Sequence, residues 1–166
     1  MFFKASIPKK IWQSAHGGIN RIQFQNNPEA CLKDNYTALG CICVLTSNGN
    51  VGTLTHLDTE VDLQEFINCL DDELDIDKIT SEVILAGGNN KRESKEFLKK
   101  LRRILTQNEY HIIGEETGGP VLTRRITSLY RNEVEVTKTN RDISITTVPF
   151  KFPLDYLPQL FNNHTS

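Results

Sequence analysis

Cysteine is scarce in this chain, four residues in 166. That is too few for a disulfide scaffold at this length, and reduced thiols are expected. Long hydrophobic runs are missing too. None approaches the roughly 18 apolar residues of a membrane-spanning helix, which excludes that class. The opening MFFKASIPKK places two Phe before its first Lys and then Pro8. It lacks the basic-then-apolar order and small-residue cleavage site of a signal peptide, so a cytoplasmic chain is expected, with export as an effector the alternative. No strong excess of one charge is present, since the net charge is −2, so nothing draws the chain to nucleic acid in general. Internal repeats and low-complexity tracts are absent as well. What remains, 38% apolar and 24% charged residues, is a folded globular composition. It fits a single domain over 1–166.

The charge is unevenly spread. Residues 1–83 carry 6 Lys+Arg against 12 Asp+Glu, a net of −6, and residues 84–166 carry 13 against 9, a net of +4. Two solvated helix faces account for this more simply than a charged partner does.

Residues 1–35 give little pattern beyond an early strand carrying Ile19, Ile22 and Phe24. From Leu39 the signal sharpens. Cys41–Leu45 is a β-favouring apolar run, Asn48-Gly49-Asn50 tolerates positive φ, and Val51–Leu57 returns, which predicts a buried hairpin. A helix is expected after a Thr59 cap, with Leu63, Phe66, Ile67 and Leu70 on one face. A strand follows at Ser81–Leu85, then a helix over 92–107 with Phe97, Leu98, Leu101, Ile104 and Leu105 in one stripe. Short strands are expected at Tyr110–Gly114, Val121–Tyr130, Val134–Thr139 and Ile143–Val148. The apolar tail 150–166 is expected to pack on the domain or on a partner. The order predicts an α/β (α+β) fold of two or three layers, with both helices on one side of a sheet and the later hairpins in a second sheet.

Chemistry concentrates at the hairpin. Cys41 opens a strand straight after Gly40, and His56 closes the return strand. With the turn near 48–50, residues 41 and 56 are expected roughly opposite one another, a thiol within reach of an imidazole. An adjacent His lowers a thiol's pKa and later returns a proton to the leaving group. Gly40 allows close approach of a substrate, and N–H groups beside Cys41 could hold an oxyanion. The plainer alternative is a cysteine that packs as a small hydrophobe. Cys43 shares the face of Cys41, but no second close cysteine pair completes a four-ligand zinc site, so no metal is expected. Cys31 and Cys69 read as packing. Gly87-Gly88 lacks a following Gly-Lys-Ser/Thr and reads as a tight crossover turn, not a phosphate cradle. Glu115-Glu116-Thr117-Gly118-Gly119 reads as a turn needing positive φ, or as a backbone rim that shapes a substrate cleft.

In order, Thr37-Ala38-Leu39-Gly40-Cys41, Val51-Gly52-Thr53-Leu54-Thr55-His56, Ala86-Gly87-Gly88 and Ile112-Ile113-Gly114-Glu115-Glu116-Thr117-Gly118-Gly119 resemble segments of the CheD chemoreceptor glutamine deamidases. The resemblance covers about residues 37–138. It implies a layered α/β/β sandwich and a Cys–His–Thr site, with Cys41 as nucleophile, His56 as base and Thr37 holding the imidazole tautomer. Leu-Gly-Cys replaces the family's Leu-Gly-Ser-Cys, which leaves Cys43 as the alternative nucleophile. Leu54-Thr55-His56-Leu57-Asp58 is also similar to the protein N-terminal asparagine amidohydrolases. For that reaction a carboxylate near His56 would read the free α-amino group, and Asp58 is the candidate.

Both resemblances imply hydrolysis of a carboxamide on a protein. The expected activity is a cofactor-free protein-glutamine deamidase. Gly40, Thr117, Gly118 and Gly119 would rim a shallow cleft, and the partners would be a protein bearing the target Gln and a regulatory protein. Neither nucleic acid binding nor membrane insertion is expected. The competing class is a non-catalytic binding module on the same fold.

Overall fold

The computed structural model describes residues 10–13, 18–25, 30–36, 39–72, 76–121, 123–130 and 133–140. Its strands are β1 (Lys10–Gln13), β2 (Ile19–Gln23), β3 (Ala30–Tyr36), β4 (Cys41–Ser47), β5 (Val51–Leu57), β6 (Glu82–Gly87), β7 (Ile112–Thr117), β8 (Thr123–Tyr130) and β9 (Glu133–Asn140). Helix α1 (Leu63–Asp72) and helix α2 (Arg92–Gln107) separate β5, β6 and β7, with a 3-10 turn at Lys78–Thr80.

The strands form a five-stranded sheet, β2-β5-β4-β6-β7, and a four-stranded sheet, β1-β3-β8-β9. Both helices lie on one face of the larger sheet. There Phe66, Ile67 and Leu70 of α1 and Phe97, Leu98, Leu101 and Leu105 of α2 meet Cys41, Cys43, Leu45, Leu57, Val83 and Leu85. The other face carries Ile42, Val44 and Leu54, which pack with Ile22, Phe24, Leu32 and Leu129. The mixed class, the one-sided helices and the second sheet holding the β8–β9 hairpin agree with the sequence expectation. Gly52 has no room for a side chain against the second sheet: a Cβ there would lie 2.7 Å from Leu129 Cδ2 and 3.1 Å from Phe24 Cε2.

Several boundaries differ from the sequence reading. Helix α1 is capped by Asp62, not Thr59; its Oδ1 accepts from the Gln64 and Glu65 N–H groups at 3.0 and 3.2 Å. A turn with Val61 N–H on the Asp58 carbonyl delays the helix start. Strand β7 runs on through Glu115, Glu116 and Thr117, residues that by sequence belong to a turn, because parallel pairing with β6 continues to Gly87↔Thr117. The expected strand at 143–148 and the tail 150–166 lie outside the described residues.

The β4–β5 turn decides the site. Asn48 and Gly49 have φ of 58° and 65°, the left-handed pair of a two-residue type I′ hairpin turn. Asn50 N–H donates to the Ser47 carbonyl at 3.2 Å. Yet Ser47 pairs with Val51, so Asn50 is one residue extra in the return strand, a bulge. The end of β2 holds it. Phe24 N–H donates to the Asn50 carbonyl at 2.7 Å, and Gln25 N–H donates to Asn50 Oδ1 at 2.7 Å.

Candidate functional site

Four strand ends line up at one edge of the five-stranded sheet. Leu57 pairs with Cys41, Cys41 with Gly87 and Gly87 with Thr117. The next row inward is His56, Ile42, Ala86 and Glu116. The segments singled out by sequence, Gly40-Cys41, His56, Gly87-Gly88 and Thr117-Gly118-Gly119, therefore converge. Gly118 N–H donates to the Gly87 carbonyl at 3.1 Å, which ties two of these turns together.

The register corrects one expectation. Residues directly opposite in an antiparallel ladder share a face, and neighbours along a strand alternate. His56 is opposite Ile42, and Cys41 is opposite Leu57. A two-residue turn would have paired 41 with 56; the extra Asn50 shifts the pairing by one. Cys41 thus faces the helices, buried among apolar side chains. Its Sγ donates to the Ile42 carbonyl at 3.3 Å. Burial and then the neighbouring Cys43 push its pKa well above that of an ordinary thiol. Cys43 is on the same face, and burial pushes it up to about 12. The alternative nucleophile is therefore no closer to the imidazole.

His56 turns to the second sheet. Its Nδ1 lies 2.9 Å from Asp34 Oδ2, both side chains buried. With Nδ1–H donating to the carboxylate, the tautomer leaves Nε2 as the proton-transfer atom. Asp58 Oδ1, on an exposed side chain, lies 3.5 Å from Nε2, so a carboxylate stands where the sequence reading placed one. Thr37 lies outside the described residues.

Three site residues escaped the sequence reading: Asp34, Thr127 and Arg125. Asp34 and Thr127 are paired across β3 and β8, two residues beyond the Leu32–Leu129 pair of the inter-sheet core. Both are buried. Arg125, two residues further along the same face of β8, is 2% exposed. It donates from Nη1 to the Gly88 carbonyl at 3.0 Å and from Nη2 to the Gly118 carbonyl. Desolvation lowers its pKa, with Glu116 and Cys41 opposing. Among the described residues neither Arg125 Nε nor Thr127 Oγ1, both buried, has a hydrogen-bond partner. The alternation of Leu32, Asp34 and Tyr36 was the available signal for β3, masked by the adjacent charges of Lys33 and Asp34. Arg125 reads as a surface residue of a hairpin until the rim turns are seen to fold onto it.

On the helix side of this edge, Arg102 of α2 makes a forked pair with Glu115, with N–O distances of 2.8–3.0 Å. Thr117 Oγ1 donates to Glu115 at 3.0 Å. The rim residue Thr117 is thereby tethered to α2. On the other side Lys138 of β9 pairs with Glu116. Among the described residues no helix is long and apolar enough to cross a membrane. No protein-family model and no curated protein matches the sequence.

Proposed function

We propose that this chain is a cysteine-dependent hydrolase of protein carboxamides, of the CheD-like deamidase type, converting a glutamine side chain of a protein substrate to glutamate. The observation that carries the proposal is the buried His56–Asp34 pair, 2.9 Å apart, at the corner where the four motif segments meet. The Cys41 thiolate adds to the amide carbon. The C–N bond then breaks, and the imidazolium gives its proton to the departing ammonia. Water, deprotonated by His56 Nε2, hydrolyses the thioester and restores the thiol. One water is consumed and one ammonia released, with no cofactor. Arg125 Nε–H and the Thr127 hydroxyl, both buried on the imidazole's side, are donors for the amide oxygen. Gly40, Thr117, Gly118 and Gly119 form the rim over which the protein substrate lies. The mixed fold of two helices and two sheets supports this reading.

The reaction needs Cys41 to turn from the helix side to the imidazole's side. Cys41 is the terminal residue of both its ladders, opposite Leu57 and Gly87. Only end pairs have to open, and Gly40 before it adds no side chain to the movement. The register also favours a second reading, a non-catalytic binding module, because Ile42 and not a thiol faces His56.

Iodoacetamide labelling followed by peptide mass spectrometry separates the two. On the hydrolase reading Cys41 of the folded protein is alkylated at neutral pH, Cys43 is not, and His56→Ala slows Cys41 by roughly tenfold or more. A Cys41 that reacts only on unfolding, alongside Cys43, overturns the hydrolase and leaves the binding module. For substrates, intact-mass spectrometry of candidate proteins reads a gain of about one dalton per converted amide.

A further inference from the structure

A cavity of about 230 Å³ opens between the start of β2, the end of β5 and helix α1. It is smaller than the roughly 300 Å³ at which drug-sized ligand sites begin, so it suits a small molecule. Its apolar walls are Ile19, Leu57 and Phe66. Its polar lining lies at two places. Thr55 pairs with Cys43 across the β4–β5 ladder and so points to the helix side. It is 4% exposed, and its buried Oγ1 has no hydrogen-bond partner among the described residues. Asp62 and Glu65, at the start of α1, bring two exposed carboxylates to the cavity. Among the described residues Asp62 accepts backbone N–H groups, and no Lys or Arg lines the cavity.

We infer that this cavity is a binding site for a short-chain ammonium compound with a hydrogen-bonding group at its far end, such as an amino alcohol. The carboxylates attract the cation at the mouth, the apolar walls cover the chain, and the far-end hydroxyl meets Thr55, which otherwise stays buried without a partner. His56 also lines this cavity, but the inference makes no use of its chemistry, and its test needs no turnover.

Cys69 lines the same cavity and is partly exposed, while Cys31, Cys41 and Cys43 are buried, so its alkylation rate reports occupancy. The probes are 5-amino-1-pentanol, pentylamine and 1-pentanol. The expected result is that 5-amino-1-pentanol protects Cys69 of the folded protein at the lowest concentration, pentylamine at a higher one, and 1-pentanol weakly. Glu65→Gln should weaken both amines by roughly threefold to tenfold. Thr55→Val, close in shape, should remove the advantage of aminopentanol over pentylamine while leaving pentylamine protection in place. That second result also shows the variant to be folded. Equal protection by 1-pentanol and the amines, or no protection by any probe, overturns the inference. So does an aminopentanol advantage that survives Thr55→Val.

Discussion

At Nδ1 of His56 one hydrogen bond spans the gap between the two sheets, since the imidazole belongs to β5 and its carboxylate partner, Asp34, to β3. Buried donors and acceptors lose their water on folding, so each needs a protein partner to avoid a net cost. Asp34→Ala takes the partner from Nδ1 and is expected to lower stability by about 1–3 kcal/mol. The same change shifts the tautomer, because the carboxylate left beside the ring, Asp58 at Nε2, favours Nε2–H over Nδ1–H. Urea denaturation reads the first effect and the ¹⁵N shifts of the ring the second. A stability within error of the parent, with the tautomer unchanged, would show that Asp34 does not orient the ring. Arg125 makes a comparable bridge further along. It is a β8 side chain whose guanidinium holds the carbonyls of Gly88 and Gly118, which sets the height of the rim.

Among the elements, β5 is the strand on which both layers depend. Leu57 faces the helix-side core and Leu54 the inter-sheet core, and Gly52 lets Leu129 and Phe24 close over it. Adding a methyl group here is an overpacking change with no open space to take it. Gly52→Ala is expected to cost about 1–3 kcal/mol, read as a lower urea midpoint. A neutral result would mean that the sheets separate easily at this point. The hairpin, α2 and the β8–β9 pair were legible in the sequence because their apolar periods are regular and their turns carry Asn and Gly. Strand β3 was not, because Lys33 and Asp34 interrupt its apolar pattern and are buried by tertiary partners that no local window contains. The true end of β7 was hidden for a similar reason. Glu115 and Glu116 look like turn residues until Arg102 and Lys138 are brought to them from opposite layers.

For the whole molecule, the Arg102–Glu115 fork is a clamp between the helix layer and the sheet, and it makes stability depend on pH. The hydrogen bonds from Arg102, with further help from Thr117, hold the Glu115 carboxyl below the usual carboxylate range against desolvation. A carboxylate with a lowered folded-state pKa stabilises the fold above its unfolded value and loses that contribution as the pH falls through the folded one. Both partners are partly exposed, so the effect is modest, on the order of 0.5–1 kcal/mol at neutral pH. Glu115→Gln should therefore lower the urea midpoint near pH 7 and converge with the parent on acidification. A difference that is the same at every pH would rule out the ion pair as its source. The convergence of four motif segments on one sheet edge was legible from their order along the chain. Which face each side chain takes was not, because that turns on a single residue in a loop.

That residue, Asn50, has a consequence for how this domain could change over generations. Strand β4 is apolar on both faces, Cys41, Cys43 and Leu45 on one and Ile42 and Val44 on the other. Its own pattern therefore opposes a slip only weakly, and the hairpin's length does the choosing. An in-frame loss of one codon at the loop would exchange the faces of one strand relative to the other without altering any chemical group at the edge. Deleting Asn50 should place Cys41 directly across from His56, giving faster alkylation of Cys41 that depends on His56. Which side chains share a face at this edge is a matter of parity, changed by insertions and deletions in a loop at the far end of the hairpin, where a comparison of substitutions alone would not find it.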